Sequence, residues 1–192
     1  MENSISRRDF IKTSLQIAGV LALHSTPLNS IAGIPQKKVN KDGIHIVKKA
    51  LSFYHVHTKE KLVIEHAYGK VVPANIEELN YFLRDFRTGE VHDIDPELLD
   101  ILFAIKSKSR SKGRIEIFSG YRSKKTNDLL RTYNRRVAKK SLHTKGKALD
   151  ICISDLRPNK LRDLAVSLHK GGVGYYGRFN FVHLDTGKVR TW

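Results

Sequence analysis

The stretch SLHTKGKALDI, residues 141–151, places a histidine and an aspartate seven residues apart, with a glycine and an alanine between them. The aspartate, Asp150, lies in the segment from Leu149 to Ile153, which is otherwise apolar and predicts a buried strand. An ionised carboxylate in such a strand is costly unless a positive group meets it. That group could be a lysine, an arginine or a metal ion, and the rest of the chain helps to choose among them.

Length and charge limit the class of protein and the class of partner. The chain has 192 residues, which is enough for one ordinary domain and too few for two large ones. Its formal net charge of +16 favours polyanions such as nucleic acid, anionic lipid or an acidic wall polymer. The sequence shows no zinc-finger spacing, basic zipper or aromatic-rich RNA-binding signature, so a nucleic-acid partner is not expected. Cys152 is the single cysteine, which rules out an internal disulfide.

Residues 1–32 have the features of an export signal. The segment SRRDFIK, residues 6–12, is similar to the twin-arginine motif. The apolar run at 15–23 is far shorter than the roughly 20 residues that span a bilayer, and it fits a cleavable signal. Ser30 and Ala32 provide the small residues that a signal peptidase requires, which favours cleavage after Ala32. The alternative is an amphipathic N-terminal helix, which explains neither the paired arginines nor the small residues at the end of the segment.

This reading divides the chain into three parts. Residues 1–32 form a twin-arginine signal peptide, 33–48 a polar linker, and 49–192 a single folded domain. No second apolar segment is long enough for a membrane helix, so we expect no stable membrane insertion of the mature domain. The expected location is the periplasm, reached by the twin-arginine pathway.

The patterns of the mature chain predict an α+β domain with a small antiparallel sheet and flanking helices. Residues 51–68 predict a β-hairpin around a charged turn at 58–61. Asn75 with Glu78 predicts a capping box, and Asp95-Pro96 predicts the start of a second helix. Further strands are predicted at 114–118, at 148–153 and within 172–192, with helices from Ser123 to about Val137 and from Pro158 to near Gly171.

Three residues stand out as candidate metal ligands: His143, Asp150 and His183. Imidazole and carboxylate suit zinc, and three protein ligands leave a fourth position for water. Neighbouring strands could bring the three together. The alternative is that these histidines are hydrogen-bonded structural residues, as most strand histidines are. His55 and His57 share no recognised spacing with an acid, so we interpret them as structural or surface residues.

The glycine and alanine of the opening stretch carry a resemblance to a known family. SLHTKGKALDI resembles the Ser-x-His-x-x-Gly-x-Ala-x-Asp signature of the D-Ala-D-Ala peptidases, which are grouped with lysostaphin and the zinc fold of sonic hedgehog. SGYRS, residues 119–123, is similar to their upstream Tyr-Arg-Ser segment. Residues 51–192 as a whole resemble the twin-arginine-exported YcbK-like murein endopeptidases, through segments such as HTKEKL, GGVGYY and FVHLDTGKVRTW.

The resemblance implies a fold, a cofactor and a set of roles. It implies a hedgehog-like, D-Ala-D-Ala peptidase-like zinc fold for 49–192, with His143, Asp150 and His183 as the zinc ligands. Arg122 falls on the arginine that faces the developing oxyanion in the related dipeptidases. Ser141 and Tyr121 fall on positions that contact substrate or support the site. The implied partners are the stem peptides and cross-links of peptidoglycan.

One position departs from the family pattern. The better-known D-Ala-D-Ala peptidases carry an acid three residues before the last histidine, where it serves as general base, and here that position is Asn180. An amide cannot take a proton from water. Asp185, two residues after His183 and therefore on the same face of a strand, is the best alternative base. It could equally be a hydrogen-bond partner that orients the ligand imidazole.

Two functions follow from these observations. The leading one is a periplasmic zinc metallopeptidase that hydrolyses peptide cross-links of peptidoglycan, a murein endopeptidase. The alternative is a non-catalytic module that binds the cell wall or a partner protein and keeps the zinc fold, an idea to which Asn180 gives weight.

The export signal yields the first prediction. Replacing Arg7 and Arg8 by lysine should leave the product in the cytoplasm, because the twin-arginine pathway selects the arginine pair. Cell fractionation measures this, and the reverse exchange of Lys37 and Lys38 to arginine in the linker is the matched control. Periplasmic recovery of the double-lysine variant at the normal level would show that the signal is misread.

Overall fold

The structure, a computed structural model, describes residues 49–67, 70–71, 76–135 and 137–192. The predicted signal peptide and linker, 1–48, and the predicted helix cap at Asn75 lie outside these residues. Among the described helices, none combines the length and apolar character needed to cross a membrane.

The sheet is the centre of the domain, and the α+β class predicted from the sequence is confirmed. Eight strands are described, in the spatial order β3-β2-β1-β4-β5-β7-β6-β8. Most neighbours are antiparallel, but β1 with β4 and β6 with β8 are parallel pairs. The bounds are β1 Lys49–His55, β2 Lys61–Ala67, β3 Lys70–Val71, β4 Ile115–Ser119, β5 Ala148–Ile153, β6 Gly172–Tyr176, β7 Phe181–Asp185 and β8 Arg190–Thr191.

The helices begin close to where the capping residues predict. In the second helix the Oδ1 atom of Asp95 accepts a hydrogen bond from the amide of Glu97 at 3.0 Å, and in the third the Oγ atom of Ser123 accepts from the amide of Thr126 at 3.1 Å. The third helix ends earlier than the predicted Val137, because the backbone of Asn134 is extended. The bounds are α1 Ile76–Phe82, α2 Glu97–Ser109, α3 Lys124–Tyr133 and α4 Pro158–Val166.

A single apolar core joins the helices to one face of the sheet. Helix α2 contributes most of one wall, because it buries apolar side chains on several sides. Strand β5 is buried along its whole length, as the apolar run around Asp150 predicts. The largest fully buried side chains are Phe53, Leu51, Ile64, Leu79, Leu83, Leu98, Leu99, Leu102, Ile105, Ile115, Ile117 and Leu149. The core supports the strands that carry the candidate ligands.

Strand register aligns the candidate site as a row across the sheet. Asp150 of β5 pairs with Ser119 of β4 on one side and with His183 of β7 on the other. His183 in turn pairs with Gly174 of β6. Residues paired across adjacent strands share a face of the sheet, so this row places a serine, a carboxylate and an imidazole side by side.

Gly146 shapes the loop that returns His143 toward this row. A short 3-10 turn, Leu142–Lys145, precedes it, and Gly146 closes the turn with a left-handed backbone, φ 65°. The carbonyl of Gly146 accepts a hydrogen bond from the amide of Asp95 at 2.9 Å. A Cβ atom at this position would overlap the carbonyl oxygen of Asp93. Both the backbone angle and the lack of space require glycine here.

The second prediction compares two left-handed glycines. Gly89 has φ 74° and open space around it, so Gly89→Ala should cost only the backbone strain, about 1 kcal/mol of unfolding free energy. Gly146→Ala adds the overlap with Asp93 and should cost a further ~2 kcal/mol or more. Urea unfolding with a chelator present measures both. Equal losses for the two variants would contradict the proposed close approach at Gly146.

Candidate metal centre

The three candidate ligands predicted from the sequence come together in the structure. His143 lies in the 3-10 turn before β5, Asp150 lies on β5, and His183 lies on the neighbouring strand β7. One donor atom from each residue lies within 4.8 Å of the other two. All three residues are buried or nearly so. They form the single group of three or more such residues found among the described ranges that could hold a metal ion.

The donor atoms have the spacing of a metal-binding triangle. His143 Nε2 lies 3.3 Å from Asp150 Oδ1, and His183 Nδ1 lies 2.8 Å from the same oxygen. The two nitrogens are 3.2 Å apart. Tetrahedral zinc with bonds of about 2.0–2.1 Å would separate its ligand atoms by about 3.3 Å. The triangle therefore fits the ion with small adjustments.

Hydrogen bonds on the far side of the His143 and His183 rings orient the nitrogen lone pairs toward the centre of the donor-atom triangle. His143 Nδ1 donates to the carbonyl of Gly120 at 2.8 Å, which leaves Nε2 as the lone-pair nitrogen. His183 Nε2 lies 3.1 Å from Asp185 Oδ2 and donates to it, which leaves Nδ1 facing the triangle. Two lone pairs and a carboxylate oxygen then face one point, an arrangement that is repulsive unless a cation occupies it.

The pKa values of the three candidate ligands are set by two effects, burial and the contacts that the three groups make with one another and with Asp185. Burial alone would raise the pKa of Asp150, but the charges and hydrogen bonds of His143 and His183 hold it far below its usual range. Burial alone would lower the pKa of His183, yet hydrogen bonds to Asp150 and Asp185 raise it to about 9. Burial lowers the pKa of His143. Without a metal ion, the cluster stabilises a proton at His183, and a metal ion would take the place of that proton.

Arg122 reaches the centre from the opposite side of Asp150. One guanidinium nitrogen, Nη2, lies 3.6 Å from Asp150 Oδ2 and donates to Ser119 Oγ at 3.3 Å. The Nε atom is buried and has no hydrogen-bond partner in the described part of the chain. Burial lowers the pKa of Arg122, and Asp150 opposes that shift. The guanidinium is thus a largely buried cation held beside Asp150, where it can stabilise negative charge that develops near the three ligands.

The loop that carries Arg122 is fixed by backbone and side-chain bonds. The amide of Arg122 donates to the carbonyl of His143 at 3.1 Å, and the amide of Tyr121 donates to Leu83 at 2.8 Å. Asp85, buried, accepts from the amide and the hydroxyl of Ser123 at 2.9 and 2.6 Å. The loop is therefore held in one geometry relative to the ligand histidine.

Two further predicted site residues occupy different surroundings. The hydroxyl of Tyr121 donates to Glu90 Oε1 at 2.5 Å, and its ring stacks on His92 at 4.7 Å. Ser141 is buried at the start of the 3-10 turn, and its carbonyl accepts from both the amide and the hydroxyl of Thr144. Ser141 thus lies beside His143, and Tyr121 is held by Glu90 and His92 next to Arg122 in the sequence.

Asp185 lies behind the ring of His183, on the side away from the triangle. Its Oδ1 atom accepts from the amides of Gly172 and Gly187 at 3.1 and 2.8 Å and from Arg190 Nη1 at 3.1 Å. Its Oδ2 atom accepts from Arg190 Nη2 at 2.6 Å and from His183. These donors hold the pKa of Asp185 well below its usual range, although burial acts in the opposite direction. The sequence does not single out Arg190. The one indication is that it lies five residues after Asp185, at the end of DTGKVR.

The remaining candidate residues occupy a turn and an aromatic cluster. Asn180 ends a 3-10 turn with a left-handed backbone, φ 59°, and is exposed. His55 is buried against Phe82 and Phe86, and its Nδ1 atom accepts from the amides of His57 and Thr58. Burial lowers the pKa of His55 to about 4, so it is neutral at physiological pH. His55 and His57 therefore belong to a packed aromatic cluster, as interpreted from the sequence.

The third prediction concerns metal affinity. The chain should bind one divalent ion, and His183→Ala should remove most of it because one of three ligands is lost. Asp185→Asn keeps the shape but removes the charge that orients the imidazole, and it should weaken binding by about 10- to 100-fold. Metal analysis and competition with a chromogenic chelator measure both. His169→Asn, at an exposed histidine with a left-handed backbone, is the control, and full occupancy in His183→Ala would exclude this site.

Comparison with known proteins gives the family of the chain. Residues 44–192 match the family model described as peptidoglycan L,D-endopeptidase MepK. The Escherichia coli K12 protein named peptidoglycan L,D-endopeptidase MepK is 41% identical over 145 residues, which is 75% of this chain and 80% of that protein. A Haemophilus influenzae protein named probable peptidoglycan L,D-endopeptidase MepK is 42% identical over 146 residues, 75% of this chain and 78% of its own length. The chain therefore belongs to the MepK-like M15 peptidase family, with its D-Ala-D-Ala peptidase-like fold.

Proposed function

We propose that this chain is a periplasmic zinc metallopeptidase that hydrolyses L,D peptide cross-links of peptidoglycan. The observation that carries the proposal is the convergence of His143, Asp150 and His183, with the guanidinium of Arg122 3.6 Å from Asp150. The bond class is taken from the names of the relatives, which are peptidoglycan L,D-endopeptidases. The proposed route to the periplasm is the twin-arginine pathway, on the strength of residues 6–12.

The donor set and the reaction fit each other chemically. Two imidazoles and one carboxylate are a common protein ligand set for catalytic zinc. When bound, zinc supplies Lewis acidity, which polarises a carbonyl and lowers the pKa of water toward 7. Arg122 acts at the scissile carbonyl, because negative charge grows on that oxygen in the transition state and the guanidinium lies beside the site. Its buried position makes this interaction stronger than the same contact in water.

We assign Asp185 to orienting His183 rather than to proton transfer. All five of its hydrogen bonds are made within the protein, and the imidazole ring stands between its carboxylate and the triangle. A general base must reach the water whose proton it takes, within about 3.2 Å or through one further water. Asp185 serves instead to hold the tautomer in which Nδ1 of His183 is the donor atom.

The alternative function, a binding module that keeps the fold, has one observation in its favour. Asn180 stands where the better-known peptidases carry their acid, and the amide cannot serve as a base. The ligand triangle fits both functions, because a module that keeps the zinc fold would keep its ligands. The arginine beside Asp150 favours the enzyme, since a cation at that place stabilises charge that develops only during a reaction. A digestion experiment separates the two functions directly.

The experiment is digestion of purified muropeptide dimers by the zinc-loaded chain, followed by mass spectrometry. Dimers joined by L,D cross-links should become monomers, while D,D-cross-linked dimers are the matched control substrate and should be cut far more slowly. A chelator should stop the reaction and added zinc restore it. Arg122→Ala should slow it by roughly 100-fold or more, because an oxyanion donor is lost. Intact dimers with zinc-loaded protein that still binds the sacculus would favour the binding module.

A further inference from the structure

Trp192 extends the row of candidate ligands at its far end. In the row across the sheet, His183 pairs with Gly174, and the next backbone beyond Gly174 is the segment that ends in Trp192. The indole ring leans back over Gly174, so that its centroid lies 5.3 Å from that of the His183 imidazole. A large aromatic side chain therefore forms one wall beside a candidate metal ligand.

The indole is held rigidly although half of it is exposed. The amide of Trp192 donates to Val173 at 3.2 Å, and its carbonyl accepts from Tyr175 at 2.9 Å. The indole N–H donates to the hydroxyl of Tyr176 at 3.0 Å, and the guanidinium of Arg190 lies 4.9 Å from the ring. Trp192 is nevertheless 50% exposed. A fixed and exposed aromatic ring is typical of a binding surface, because little conformational entropy is lost when a ligand contacts it.

Glycine at position 174 makes room for this arrangement. A Cβ atom there would lie 2.6 Å from the indole, closer than any real carbon contact. Any other residue would push the indole away from His183. Gly174 has no positive φ to explain the choice of glycine, so the close approach of the ring is its physical reason.

Further rings continue the same surface along β6 and β7. Tyr176 stacks on Phe181 at 4.6 Å, and Phe181 lies 5.7 Å from Phe118. Phe181 and His183 are two residues apart on β7 and share a face. We call Trp192, Tyr176, Phe181 and Phe118 the aromatic shelf. It adjoins the candidate metal centre on the face of the sheet that carries the ligands.

Building on the proposed function, we propose that the aromatic shelf is the subsite for the peptide stem next to the scissile amide, with Trp192 as its specificity-determining residue. Its occupant is an aliphatic segment of the stem, whose methylene groups and amide planes pack on ring faces. An extended peptide advances about 3.3 Å per residue, so a group on Trp192 lies within about two residues of a carbonyl at the metal centre. The sugar chain, joined to the far end of the stem, would lie beyond the shelf.

The chain offers a direct probe, because Trp192 is its only tryptophan. Free stem peptide, released from the sugar, should change the fluorescence of the zinc-loaded chain and protect Trp192 from acrylamide quenching. Peptide-free glycan strands should do neither. If the glycan and not the stem peptide protects Trp192, the occupant has been misassigned and the proposal is overturned.

Variants give a second readout by calorimetry. Trp192→Ala should weaken stem-peptide binding by about tenfold, the size expected when a central aromatic contact is lost. Gly174→Ala should weaken it too, because the indole is displaced. Zinc content should stay near one per chain in both variants. Tyr133→Ala, at an exposed aromatic residue on α3, is the matched control and should bind normally.

The outcomes separate this proposal from the proposed function. If Trp192→Ala cuts L,D-cross-linked dimers with an unchanged KM and binds stem peptide normally, the shelf is not a subsite and the proposed function stands. If stem peptide protects Trp192 but dimers remain uncut, the subsite stands and the proposed enzyme activity fails. A loss of zinc in Trp192→Ala would mean that the indole only covers His183, which would overturn the proposal.

Discussion

A buried carboxylate on strand β5 is the constraint on which the arrangement of this domain depends. Asp150 is flanked by apolar residues and is itself almost buried, so it requires positive charge from its neighbours. Two neighbouring segments supply it: β7 brings His183, and the loop after β4 brings Arg122. The turn before β5 adds His143 as the third candidate ligand. The buried carboxylate of Asp150 therefore determines which residue types are needed on three different segments of the chain.

The local parts of this arrangement were predictable from the sequence. Hydrophobic periodicity and capping residues place the hairpin, the second and third helices and β5, because these features depend on neighbours within a few residues. The residues alone left the partner of Asp150 open among a lysine, an arginine and a metal ion, and they made His143 and His183 candidates only. The resemblance to a known signature singled out the three ligands and Arg122.

The remaining features depend on contacts between distant segments, which no local pattern records. The parallel pairing of β6 with β8 is one example, because strand β7 and its turns lie between the two strands in the sequence. The surroundings of Asp185 are another: its spacing from His183 fits either a base or an orienting partner, and the bonds from Gly172, Gly187 and Arg190, which favour the orienting partner, come from distant parts of the chain. The hydrogen bond of Tyr121 to Glu90 and its stacking on His92 likewise have no local signal.

The paired bonds from Arg190 to Asp185 tie the short strand β8 to the candidate metal centre. Through Asp185, this arginine contacts the partner of a candidate ligand, and the same guanidinium lies over Trp192. A displacement of β8 would therefore reach the His183 imidazole and the indole together, although neither residue belongs to that strand.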